Sequence, residues 1–325
     1  MEHLFSPAAD VSSNFPRFPY LQAYSDAMQV PELNKKNSKT RLLQWAIPLF
    51  ILFLFTQFAN AKDPGIPFKV LAFYTAKNDQ AHISFVHEAN RWFARIATQN
   101  NFSYDSTSNW GLLNGRSLSK YQVILFLDTR PEDPAQRAAF QAYMEHGGAW
   151  MGFHFAAFAL ANSAYPENWD WYHNTFLGAG AYASNTWRPT SATLRVETPD
   201  HISTRHLKPT FNSAPNEWYR WSKDLRLNKD IKILLSIDSS SFPLGTGPKP
   251  SEIWHSGYYP VAWTNTRYRM LYMNMGHNDI DYEHNSKKEL SFTFDNVDQN
   301  TFILNSILWL GHRTSDQFVS SKQGK

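Results

Sequence analysis

The sequence predicts an α/β protein: a three-layer α/β/α sandwich with a mostly parallel central sheet. Three observations carry this expectation. Tyr121 to Leu127 (YQVILFL) and Ala149 to Phe153 (AWMGF) are apolar on both faces at strand length, as strands in the middle of a helix-covered sheet are. Ala135 to Glu145, between them, reads as a helix, with Pro134 at its start and Gly147-Gly148 as its stop. Ahead of them Lys69 to Thr75 (KVLAFYT) is a further short apolar strand followed by a helical pattern. The order β-α-β-α-β then implies right-handed crossovers and parallel pairing.

Taken along the chain, the first helix is expected over His82 to Gln99, where Ile83, Val86, Phe93, Ile96 and Ala97 fall at near-helical spacing and Ser84 offers a cap. Phe102 to Thr107 reads as the second strand. Trp169 to Phe176 reads as an aromatic helical stretch, and Ser191 to Val196 and Ile231 to Ile237 as strands. Ser239 to Pro250, rich in Ser, Gly and Pro, reads as a surface loop. Tyr259 to Thr264 and Arg269 to Met273 read as a hairpin about Asn265-Thr266, and Asn300 to Leu310 as the closing amphipathic helix. One α/β domain over residues 67–313, with a flexible tail at 314–325, accounts for these elements.

The N-terminal part has another character. Residues 1–41 are a polar lead ending in the basic stretch Lys35, Lys36, Lys39 and Arg41. An apolar run from Leu42 to Phe55 and the small residues Ala59 and Ala61 follow. This is the order of a secretory signal, so residues 42–61 are expected to act as h-region and cleavage site or, uncleaved, as a membrane anchor. The expected location is therefore exported, periplasmic or extracellular, or membrane-anchored. Translation starts at Met1 or Met28, the latter giving an n-region of ordinary length.

Composition narrows the chemistry. There is no cysteine, which excludes disulfides, thiolate metal sites and a Cys nucleophile. The balance of 31 basic against 28 acidic residues, +3, gives no electrostatic footprint for nucleic acid. The 12 Trp, 15 Tyr and 24 Phe are a high aromatic content, which suits either a heavily aromatic core or faces that stack on sugar C–H groups.

In parallel sheets chemistry collects at the carboxyl ends of strands, which directs attention to Thr75 to His82, Asp128 to Arg130 and His154. The sequence Gly152-Phe153-His154-Phe155-Ala156 at a strand end is an elbow pattern: small residues let the chain turn sharply and push the intervening side chain into a cleft. An imidazole there can act as acid, base or ligand but not as an acylating thiolate. His277 follows a strand as Gly276-His277, which again points a polar ring into a cleft, and Glu217 sits beside Trp218 and Tyr219, where desolvation favours a neutral carboxyl.

These pieces, in this order, resemble the ThuA-like (trehalose-utilisation) family: an opening strand, His82 early in the first helix, GG-x-W-x-G-x-H ending at His154, Trp169 and Tyr172, Glu217-Trp218-Tyr219, Pro260 to Trp263, and Tyr272 to His277. The resemblance implies a flavodoxin-like fold of the class I glutamine amidotransferase type. In those amidotransferases the elbow carries Cys, so the protein is not a glutaminase. It further implies a protein acting on a carbohydrate, a trehalose-like disaccharide or keto-sugar derivative; with the N-terminal segment and the site residues, the expectation is an exported protein using His/Glu acid–base chemistry, with His154, Glu217 and His277 as catalytic candidates. His82, Tyr172, Trp187, Tyr219 and Trp263 are the candidate substrate contacts. A non-catalytic carbohydrate-binding protein on the same fold is the alternative. The chain departs from the family pattern at Lys77 to His82, where an arginine is missing, and at Gly178 to Ser184.

The expected partner is a small carbohydrate, with no nucleic acid, and a membrane only through an uncleaved N-terminal segment. No cofactor is expected. A divalent metal stays open, since His82, His154, Glu217 and His277 could supply ligands if the fold gathers them, although no HExxH spacing points to one. His201 and His206 are expected to be structural or solvent-facing.

Overall fold

Nine strands form a mixed sheet in the order β2-β1-β3-β4-β11-β10-β9-β6-β7, in a computed structural model that describes residues 67–77, 79–159, 169–186, 189–243, 253–277 and 291–311. All of them fall within one compact unit spanning residues 63–325. The expectations for the signal or anchor at 42–61 and for the tail at 314–325 lie outside the described residues, as does Trp187. Among the described residues, no helix is long and apolar enough to cross a membrane.

The parallel half is β1 (Phe68–Phe73), β2 (Phe102–Thr107), β3 (Val123–Phe126), β4 (Ala149–Phe153) and β11 (Arg269–Met273). Every residue of β3 and β4 is buried, which is why both read as unbroken apolar runs. The antiparallel half is β10 (Tyr259–Asn265), β9 (Ile231–Ile237), β6 (Thr193–Val196) and β7 (Thr210–Asn212). A separate ribbon pairs β5 (Tyr182–Asn185) with β8 (Tyr219–Trp221). The sandwich is as expected, with four antiparallel strands extending one side of the sheet.

Helices cover both faces. They are α1 (Gln80–Gln99), α2 (Gly115–Leu118, one turn), α3 (Pro134–Glu145) and α4 (Val297–Gly311). The α1 stripe of Phe85, Val86, Ala89, Trp92, Phe93, Ile96 and Ala97 packs with Phe302, Ile303 and Ile307 of α4 in one core. On the opposite face Phe140 and Met144 of α3 pack with Trp150, Tyr172 and Phe176. Each such aliphatic or aromatic side chain contributes roughly 1.5–3 kcal/mol when fully buried.

One local expectation is corrected and another refined. Ser84 does not cap α1: it is buried within the helix, and Asp79 is the cap, its carboxylate accepting from Ala81 N at 2.9 Å. The aromatic stretch is a π-helical turn over Trp171–Phe176, entered from Asp170; stacking of Trp169 on Tyr172 (4.9 Å) and of Trp171 on Phe176 (5.0 Å) accompanies the wider turn.

His201 is structural, as expected. Its Nδ1 accepts from Ser203 N at 3.2 Å, and its ring meets Trp309 edge-on at 4.7 Å. Burial, and then the charge of Lys232, lowers its pKa from 6.5 to about 4. The unfolded chain therefore takes up a proton that the folded one resists. The stability from a neutral His201 is complete above its ordinary pKa and is lost as pH falls from 6.5 toward about 4. Replacing it by Asn, which keeps the capping acceptor, is expected to reduce the stability lost across that pH range by about 1–2 kcal/mol after allowance for solvent screening. Denaturant titrations of both proteins at a series of pH values check this.

Candidate active site

Four side chains from distant parts of the chain meet at the carboxyl ends of β1, β4 and β11. Each is brought there by a backbone feature. His154 follows β4 directly, with φ +40. That left-handed conformation costs a non-glycine residue about 1–2 kcal/mol, and it turns the imidazole inward. The elbow is held by Tyr272, whose hydroxyl donates to His154 O at 2.8 Å. Gly152 serves a different purpose from the one expected. It lies before the turn, and a Cβ there would stand 2.1 Å from the Trp150 ring; the positive φ belongs to His154 itself.

His277 follows β11 through Gly276, whose φ of +127 suits glycine. Glu217 is then fixed by stitches between its own segment and this one. Gly276 N donates to Asn216 Oδ1 at 3.1 Å, Glu217 N to His277 O at 2.8 Å, and Tyr219 N to Asn274 Oδ1 at 2.6 Å. His82 comes from the first turn of α1. The loop before it is anchored by Asp128, which accepts from Thr75 N at 2.7 Å and from Ala76 N. Burial raises the Asp128 pKa against the pull of those two amides.

Glu217 Oε2 lies 3.2 Å from His154 Nε2 and 3.6 Å from His277 Nδ1. Its other oxygen accepts from Asn185 Nδ2. The far nitrogen of His277, Nε2, lies 3.6 Å from Asp79 Oδ2, so this imidazole stands between two carboxylates. The rings of His82 and His277 are 4.7 Å apart, those of His154 and His277 5.0 Å. One ring nitrogen from each of the three histidines lies within 4.8 Å of the other two. Among the described residues, these three imidazoles are the group that could hold a metal ion.

The electrostatics follow from crowding. The His277 imidazole beside Asp79 holds that carboxyl well below the usual carboxylate range. Burial alone would lower the His277 pKa, but Asp79 and Glu217 outweigh it, and the net shift is upward. Burial lowers His154, with Glu217 opposing, and drives His82 well below its ordinary value, aided by the other two rings.

Of the expected contacts, His82 and Tyr219 are at the centre; Tyr219 lies 4.1 Å ring to ring from His154. Tyr172 and Trp263 are not, and their assignment as substrate contacts is corrected. Both are fully buried in the core on the α3 side, with their polar atoms spent on backbone: Tyr172 Oη donates to Ala156 O at 2.9 Å and Trp263 Nε1 to Leu177 O at 2.8 Å. The aromatic wall is built from other residues. Phe155 lies 5.2 Å from His82 and stacks on Phe158 at 4.6 Å, Phe158 meets Tyr182 at 4.9 Å, and Tyr182 meets Tyr219 at 5.0 Å. Phe155, Phe158 and Tyr182 are only partly buried. Asp79 and Asn274 were also not expected at the site. Asp79 could have been read as a helix cap preceding His82, and Asn274 lies within the Tyr272 to His277 stretch without having been singled out there.

Fold and centre together define an α/β sandwich protein whose strand-end elbow presents an imidazole in place of a thiol, with a carboxylate beside it. The sequence signature of the ThuA family, described as trehalose utilisation, matches residues 69–292. The chain belongs to the ThuA family, whose description points to a carbohydrate-related role. Among solved structures it is similar to a ThuA-like protein of Bacteroides uniformis, at 34% identity over 75% of this chain and 91% of that one, with a TM-score of 0.65. A ThuA-like protein of Parabacteroides merdae shares the fold at a TM-score of 0.54, with 15% identity over 75% of this chain and 90% of that one. No curated protein matches the chain.

Proposed function

We propose that this protein acts on a carbohydrate, a trehalose-like disaccharide or keto-sugar derivative, by His/Glu acid–base chemistry, with proton transfer at Glu217 and His154 and His277 flanking that carboxylate. The observation that carries the proposal is the placement of one buried oxygen, Glu217 Oε2, 3.2 Å and 3.6 Å from two imidazole nitrogens. Isomerisation, enolisation and lyase chemistry next to a ketone all require a positioned base of this kind. The partly buried aromatic wall of Phe155, Phe158 and Tyr182 supports a sugar ring as the ligand. The basic, apolar and alanine-bearing order of residues 34–61 supports action outside the cytoplasm.

The test incubates the purified full chain with keto-glycosides and their parent disaccharides, alongside His154→Ala. Turnover of a keto-sugar by the wild type, reduced at least about 100-fold in the variant, is the expected result. Turnover unchanged by the substitution removes His154 from the centre. Saturable binding without turnover would favour the non-catalytic alternative.

A further inference from the structure

We propose that the three imidazoles hold a divalent transition-metal ion of the zinc class, with His82 Nε2, His154 Nε2 and His277 Nδ1 as its ligands. This deepens the functional reading and rests on the same site; Glu217 remains the proton-transfer group beside the ion.

The first support is that these three atoms are buried and make no aligned hydrogen bond. A buried polar atom without a partner costs about 1–3 kcal/mol, and the three belong to neighbouring rings. His154 Nε2 and His277 Nδ1 both lie near Glu217, but the contacts are not aligned as hydrogen bonds. The nitrogens of the three rings fall within 4.8 Å of one another. A tetrahedral ion with nitrogens at about 2.0–2.1 Å needs them about 3.3 Å apart. Side-chain rotation closes that gap most readily at His82, which is the least buried of the three.

The second support lies behind the rings. A ligating histidine characteristically gives its other N–H to a carboxylate or a backbone carbonyl, which fixes the tautomer and aims the free lone pair at the ion. His277 has Asp79 Oδ2 at 3.6 Å from Nε2, on the side opposite Nδ1. His154 has Asn274 O at 3.3 Å from Nδ1, on the side opposite Nε2. In both residues the supported nitrogen is the one not proposed as ligand.

The third support is charge. Two carboxylates, Asp79 and Glu217, face a centre whose other members are imidazoles, and a divalent cation balances them. Imidazole donors without thiolate suit zinc, cobalt, nickel or iron rather than magnesium or calcium.

The test uses the full chain, stripped with chelator and titrated with cobalt(II) chloride, followed by visible absorption and by metal content after desalting. One cobalt per chain with ligand-field bands, displaced by zinc, is expected. His82→Ala is expected to weaken binding more than about 100-fold. Asp79→Asn is the companion variant because asparagine caps helices equally well, so the fold is kept while the carboxylate behind His277 is lost. Its expected effect is a weakening of about 10–100-fold. Absence of stoichiometric cobalt or zinc in the folded wild type, or affinity unchanged in both variants, overturns the proposal. Turnover by metal-free protein would sink the metal while leaving the functional reading intact. Stoichiometric metal without turnover would do the reverse.

Discussion

Replacing Glu217 by Gln is expected to lower turnover about 10²–10⁴-fold, the range for loss of a positioned acid or base, with little change in KM. The substitution is isosteric. The carbonyl oxygen of the new amide can still accept from Asn185, and the backbone bond from residue 217 to His277 O is untouched. What disappears is the charge and proton affinity of one oxygen. The thermal midpoint is therefore expected to stay within a few degrees of wild type. Parallel measurement of kcat, KM and Tm separates the two effects. A variant with normal kcat would remove Glu217 from the chemistry, whatever its position.

The largest effect on stability is expected at Gly152. A methyl group there would sit 2.1 Å from Cζ2 and 2.2 Å from Cη2 of Trp150. The Trp150 ring cannot yield. It is fully buried, with Phe126, Tyr172 and Phe176 at centroid distances of 5.8, 5.9 and 5.2 Å. Gly152→Ala should therefore cost about 3 kcal/mol or more, at the upper end for overpacking. For a domain of this size that is roughly a 6–12 °C fall in Tm. Trp150→Leu in the same chain removes the obstructing ring, so the double variant should lose less than the sum of the two single losses. Additive losses in the thermal scans would show that the clash is not the cause.

Much of the fold was legible because its central strands are covered on both faces. Tyr121 to Leu127 and Ala149 to Phe153 could hardly be anything else, and Gly152-Phe153-His154 and Gly276-His277 at two strand ends marked the two histidines. The antiparallel half was less readable in detail. The short β5 and β8 strands have partly exposed, irregular burial without clean alternation, and β7 alternates over only three residues. Dense aromatics were misleading for the same reason they are useful: Trp263 and Tyr172 look like sugar platforms in sequence, but each finds a backbone carbonyl in the core. The residues that do wall the site, Phe155 and Phe158, lie one and four positions after His154 in the same tight turn. Their orientation depends on the left-handed turn at His154, which sequence pattern does not encode. Asn274 is reached only through the sheet register. Phe153 pairs with Met273, so the next residues, His154 and Asn274, fall side by side.

Asp79 divides its two oxygens between separate tasks: one receives an amide of the opening turn of α1, the other faces His277. Whatever changes the affinity of His277 for a proton or ion must therefore also change how firmly that turn is wound, and by reciprocity a firmer turn favours the same occupant. The start of a helix thus becomes a gauge of the centre: amide exchange at Ala81 would register the state of a side chain far along the sequence.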